Sequence, residues 1–234
     1  MRSNTYTLVF TSIVTVVLGF FLALAADALK EQQELNIEND IKKNILLSLG
    51  FKPDEDVIWT ASDIQNLFQK NVEGMVIDAQ GQKTDLDPKS IDTEKNINHL
   101  PIYVKKTGND VGGYAIPIAG KGLWSTLYGY FAIEPDGKTV KGITFYKHGE
   151  TPGLGGEIDK EWFQQNFVGK TFVDQQDNLV GIKVLRGKVD MGNPNAVHQV
   201  DGISGATITG KGLEKFLLDD LAKYEPFFKQ IRNG

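Results

Sequence analysis

Residues 127–150 read LYGYFAIEPDGKTVKGITFYKHGE. Aromatic and β-branched residues cluster on either side of Asp136–Gly137, the dipeptide that most strongly marks a hairpin. The spacing predicts two antiparallel strands here. A third precedes them in GGYAIPIAG at 112–120. Downstream, KEWFQQNF at 160–167 reads as helix, and NLVGIKVLRG (178–187) and AVHQVDGI (196–203) read as strands. The last element spans about 210–231. Its Leu213, Phe216, Leu217 and Leu221 mark one buried helix face, and Pro226 bends or ends its first part. Strands in runs, rather than strict strand–helix alternation, predict an α+β fold: a mixed or antiparallel sheet with flanking helices.

Upstream, LVFTSIVTVVLGFFLALAA at 8–26 holds no charged residue and just reaches the ~20 residues that span a bilayer. The small residues at Ala23–Ala26 also fit a signal-peptide cleavage site. The apolar run is longer than a signal core, however, and Arg2 is its only basic leader, so length favours a retained anchor. Arg2 before the span weakly places the N-terminus inside and the body outside, which in a bacterium is the periplasm. Residues 31–50 carry Leu35, Ile41, Ile45, Leu46 and Leu49 at helical spacing and end on Gly50. DIQNLFQKN (63–71) reads as a helix and VEGMVID (72–78) as a strand, whereas 79–99 is a polar surface excursion. The expected divisions are a tail at 1–7, a membrane helix at 8–26, a helical stalk at 27–50, an α/β subdomain at 51–110 and a ligand-binding domain at 111–234.

Composition narrows the chemistry. The net charge of −5 gives no basic excess for nucleic acid. Without cysteine there is no disulfide, thiolate-held cluster or cysteine nucleophile. His99, His148 and His198 lie at no metal-ligand spacing, so no protein-held metal is expected. A redox role then requires an organic cofactor.

Three stretches carry chemistry. VDGISGATITGKG at 200–212 matches G-x-x-x-x-G-K but has Gly212 where a phosphate loop needs Ser or Thr for magnesium. What remains is a glycine- and hydroxyl-rich turn opening a helix, a station for phosphate that also reads simply as a Ser/Thr cap. HGETPGLGGE at 148–157 packs Gly153, Gly155 and Gly156 around Leu154, which lets backbone lie against a flat ligand or merely closes a strand. GKGLWSTLYGY at 120–130 sets Leu123, Trp124 and Ser125 after two glycines, an aromatic wall or ordinary core. Taken together they suit a flavin mononucleotide, with its tricycle, ribityl chain and phosphate.

DGISGAT, Asp201 to Thr207, resembles the D-G-x-[ST]-G-A-T sequence of proteins that carry FMN covalently on threonine. With HGETPGLGGE, GKGLWS and the anchor, the chain is similar to the C subunits of bacterial sodium-translocating NADH:quinone oxidoreductases. The glycine-borne motif is shared with the G subunit of the Rnf ferredoxin:NAD complex. Gly155–Gly156–Glu157 favours the former family.

The resemblance implies a phosphodiester from FMN to Thr207, placed by an external flavin transferase that uses FAD and magnesium. The transferase would read Asp201, Gly202, Ser204, Gly205, Ala206 and Thr207. Asp201 serves that recognition or caps the turn. Cofactor contacts are expected from Leu123, Trp124 and Ser125, from Glu150, Thr151, Pro152, Gly153, Leu154 and Gly155, and from Ser204, Gly205, Ala206 and Ile208. It also implies a one-electron relay on the bacterial inner membrane, in a complex with other subunits.

Two readings compete, an Rnf-type subunit and a non-redox anchored binding domain. No nicotinamide fingerprint is present, so the chain is not expected to oxidise NADH alone or to hold a catalytic residue of its own. The span has no ionisable residue, so it cannot itself conduct sodium.

Overall fold

The computed structural model describes residues 3–54, 57–92, 98–108 and 110–234. Arg2, on which the expected orientation rests, lies outside the described residues, as does part of the 79–99 excursion. The chain forms two compact units, Met1–Asp40 and Ile41–Gly234.

The first unit is helical from Asn4 onward. Helix α1 runs continuously over Asn4–Ser48 and includes a stretch long and apolar enough to cross a membrane. Its end lies in the second unit and follows from local chemistry. Gly50, at φ +82°, donates its N–H to Leu47 O, and the N–H of Phe51 reaches Leu46 O. That pair of bonds is a Schellman stop, which needs the left-handed conformation glycine adopts freely.

The second unit is built on a six-stranded antiparallel sheet in the order β2-β1-β3-β4-β5-β6. Its strands are β1 (Val72–Asp78), β2 (Lys83–Thr84), β3 (His99–Thr107), β4 (Asp110–Lys121), β5 (Thr126–Ile133) and β6 (Val140–Lys147). Helix α2 (Ala61–Asn71) precedes β1 and is started by Thr60 and Asp63 in a capping box. The short α3 (Glu161–Gln164) and the two-residue strands β7 (Lys183–Val184) and β8 (Gln199–Val200) follow β6. Helix α4 (Thr207–Asn233) closes the chain.

The sheet runs across the 110/111 boundary expected from sequence. β1 pairs with β3 along the whole length of β1, and β3 continues the sheet into β4. Residues 51–110 are therefore part of the same body as 111–234. The expected stalk is also divided, since the unit boundary falls at Asp40/Ile41.

Side-chain alternation sorts the sheet into two faces. Tyr114, Ile116 and Ile118 of β4 join Leu213, Leu217, Leu221 and Phe228 of α4 in the main core. Ala115 and Tyr130 point the other way, toward Ile45, Leu46 and Leu49 of α1 and Ile64 of α2. Pro226 neither ends nor interrupts α4, which continues to Asn233.

Close backbone approach explains several strand glycines. A Cβ on Gly142 would lie 2.4 Å from Ser48 O, where β6 packs on the end of α1. Gly142→Ala is expected to destabilise the protein by about 1–3 kcal/mol through overpacking, read as a lower denaturant midpoint at an unchanged slope.

Candidate functional site

The three sequence stretches meet at one end of the sheet, and Glu150 is where they join. The turn between β4 and β5 is closed by Gly122 N–H donating to Ser125 O (2.8 Å). Its inner N–H groups point at the Glu150 carboxylate. Trp124 N and Ser125 N donate to Oε1 at 2.9 and 3.1 Å, and Leu123 N donates to Oε2 at 3.3 Å. The Thr209 hydroxyl of α4 donates to Oε2 at 2.7 Å. Glu150 is only 5% exposed, and Thr209 1%.

Glycines make the junction possible. A Cβ on Gly122 would lie 2.7 Å from Glu150 Oε1, and one on Gly155 2.6 Å from the Thr209 hydroxyl. The 149–156 loop folds back on Thr151 O, which accepts from Leu154 N and Gly156 N. Gly149 N donates to Ser125 Oγ at 2.6 Å, tying this loop to the β4–β5 turn a second time.

The third segment rises from β8 into α4. Gly205, at φ +74°, makes the last bend, and Leu154 Cδ2 lies 2.7 Å from where its Cβ would be. Helix α4 then begins at Thr207 behind Ala206, a cap with no side-chain acceptor. Gly210 N–H is the first to find a helical carbonyl, that of Ala206. The helix thus opens on an exposed Thr207 and Ile208, with Thr209 buried behind them. A Ser/Thr cap, the plain reading of this turn, is not what the structure uses.

The expected site residues divide into two groups. Trp124 (67% exposed), Ile208 (61%), Leu154 (43%) and Leu123 (37%) are apolar and exposed on the segments that meet here. Thr151, Pro152, Gly153, Ser204 and Gly205 are exposed on the loops beside it. Ala206, Gly155 and Glu150 are buried and shape the site from beneath. Glu150, expected as a cofactor contact, is turned away from solvent into the loop junction.

Asp201 is likewise engaged by its own chain: Oδ1 accepts from Val189 N (2.8 Å) and Oδ2 from Lys188 Nζ (2.7 Å). Gly202 beside it packs where a Cβ would meet Leu185 O at 1.9 Å. Lys211, the residue a nucleotide loop would use, bonds Glu214 at 2.7 Å. Among the described residues no cluster of metal-ligating side chains occurs.

Sequence reasoning missed the hub itself. The signal was one carboxylate, Glu150, between a histidine and a Thr-Pro-Gly turn, with no periodicity to reveal burial.

This arrangement fits FMN on its own terms. Helix α4 opens with unpaired amides and no acidic residue in its first turn. A helix end of that kind favours a phosphate. Trp124, Leu154 and Leu123 offer exposed apolar surface on the neighbouring loops.

Comparison with known proteins places the chain. Residues 122–221 match the FMN-binding domain family. The chain is 33% identical to the C subunit of the Na(+)-translocating NADH-quinone reductase of Pseudomonas aeruginosa, over 100% of this chain and 98% of that one. It is 33% identical to the same component of the Yersinia pestis reductase, over 97% of this chain and 93% of that one. The crystal structure of the corresponding Parabacteroides distasonis protein superposes with a TM-score of 0.73 at 31% identity, covering 86% of this chain and 96% of that one. Shewanella oneidensis NqrC gives 0.69 at 26% identity, covering 84% and 98%. With full-length similarity, the same fold and the site-bearing segment all in agreement, the chain belongs to the family of C subunits of Na(+)-translocating NADH-quinone reductases.

Proposed function

We propose that this chain carries one FMN on Thr207 and relays electrons between neighbouring subunits of a sodium-translocating NADH:quinone oxidoreductase. The observation that carries the reading is the uncapped start of α4. An exposed threonine opens a helix that has no side-chain cap, on a segment that Glu150 and Thr209 join to the two other glycine-rich loops. When bound, FMN would supply the electron-accepting ring. The helix end would hold its phosphate, and Trp124, Leu123 and Leu154 would offer apolar surface to its ring.

Attachment forms a bond from Thr207 Oγ1 to the FMN phosphorus. It breaks the pyrophosphate of FAD, AMP leaves, and the hydroxyl proton is taken up by the catalyst. No His–Asp pair stands beside Thr207 in sequence to activate it, so the catalyst is a separate magnesium-dependent flavin transferase. Helix α1 anchors the chain in the lipid bilayer of the bacterial inner membrane, with the second unit on the periplasmic side. There a covalent flavin cannot be lost.

The test is intact mass of the full chain in detergent after expression with a flavin transferase. One added FMN less one water is expected; an unmodified mass would refute the reading. Trp124→Ala separates ring contact from attachment. Its side chain is exposed, so stability should change by no more than about 0.5 kcal/mol. Attachment should persist, while the fluorescence anisotropy of the flavin falls.

A further inference from the structure

We propose that Glu150 is the positioning residue of the flavin cradle: a single buried carboxylate that holds the 122–125 turn, its own loop and the first turn of α4 in register before any flavin arrives. The role rests on the reading of Thr207 as the flavin carrier. Five donors from two other segments converge on the two oxygens, the fifth being the Ser125 hydroxyl at 3.4 Å from Oε1. All are donors, and an ionised carboxylate, which only accepts, is the side chain that can face them. Gly122 and Gly155 wall the group in, each lacking a Cβ that would come within 2.7 Å of its oxygens.

No cation pairs with Glu150 among the described residues. The titratable groups on the packed segments are otherwise engaged. Lys121 Nζ donates to Trp124 O (3.2 Å). His148 Nδ1 accepts from Glu150 N (3.3 Å), and its Nε2 lies 3.6 Å from Asp159, which also meets Lys160. Lys211 on α4 is held by Glu214. The carboxylate is therefore stabilised by hydrogen-bond dipoles alone.

Acid should release the latch. Burial pushes the Glu150 carboxyl up, but the Thr209 hydroxyl and the amides of Trp124, Ser125 and Leu123 outweigh it and hold it below its ordinary value. A group depressed in the folded state stabilises above its unfolded pKa and loses that contribution as pH falls through the folded one. Protonation removes an acceptor and adds a donor among donors. The ring then loses its seat while the tether at Thr207 keeps the flavin on the chain.

The experiment uses the full chain in detergent, with and without flavin, as wild type and Glu150→Gln. Backbone amides are followed by selective 15N-tryptophan labelling, and the ring by flavin anisotropy. In the wild type the Trp124 amide and the anisotropy should change together at one midpoint below the ordinary carboxylate range. In E150Q both should be flat through that range. A Trp124 amide that does not titrate, or titrates equally in E150Q, overturns the proposal. The flavin-free protein answers on its own, so a wild type that fails to acquire flavin refutes the Thr207 reading while the amide titration still decides Glu150.

Discussion

Thr207→Ala is expected to remove the covalent flavin completely and to leave the fold intact. Thr207 is the first residue of α4 and is exposed, so its side chain packs into nothing that alanine would abandon. Alanine is also the better helix former, and the stability change should stay within about 0.5 kcal/mol. No neighbouring hydroxyl replaces it. Thr209 is 1% exposed and donates to Glu150 at 2.7 Å, so its oxygen is closed to a transferase. Ser204 sits on the far side of the bend at Gly205 and is not part of the helix end. On a denaturing gel of chain expressed with a flavin transferase, the fluorescent band should vanish in T207A and persist in Thr207→Ser. A band that survives in T207A would move the attachment elsewhere.

Much of this fold was legible because its strands are locally consistent. VEGMVID became β1 residue for residue, since nothing in it conflicts with an extended, paired segment. The hairpin at Asp136–Gly137 formed, though by a wider loop: Glu134 N donates to Thr139 O, and Gly137 takes φ +69°. β3 escaped because Pro101 argues against a central strand. The structure admits it because the β3–β4 ladder ends at Tyr103–Ala115, so Pro101 and Pro117 are asked for no bond to each other's strand. Tyr224 hydroxyl bonds Pro101 O, and Asp220 accepts from Ala119 N, filling that gap from α4. Such compensation comes from residues over a hundred positions away and leaves no local trace.

The segments 178–187 and 196–203 show the opposite error. Their β-branched residues predicted two full strands, yet only Lys183–Val184 and Gln199–Val200 form strands, paired in parallel, and Leu179 makes an isolated bridge to Val173. Gly181 at φ +72° and the close approach of Gly202 to Leu185 O bend the chain out of any longer ladder. The site was legible in its parts, since all three motifs do converge. Its assembly was not, because a buried carboxylate facing amides looks in sequence like an exposed one.

Gly212→Ser is the sharpest test of that assembly, since it would complete a nucleotide-loop sequence, G-x-x-x-x-G-K-S. It should create no nucleotide site and should damage the existing one. A Cβ at 212 would stand 2.2 Å from Lys121 O and 3.3 Å from Gly122 Cα, both backbone atoms that no rotamer change can clear. The β4–β5 turn cannot retreat alone, because Glu150 ties it to Thr209 on the same helix. Helix α4 must therefore lift from the turn, which breaks the junction under the flavin. Two glycines inside a helix normally cost about 1 kcal/mol each against alanine. They are retained here because Gly210 lies against Val184 and Gly212 against Lys121. G212S should lose about 1–3 kcal/mol by overpacking, and more if the Glu150 bonds part. Thr207 stays exposed, so covalent flavin should still be acquired, but its anisotropy should approach that of the wild type in acid. Gly187→Ser is the control, with nothing within 4 Å of its Cβ, and should melt like the wild type. A G212S protein with wild-type melting and flavin anisotropy, or one that binds magnesium-ATP, would mean that α4 does not seat the cradle as described.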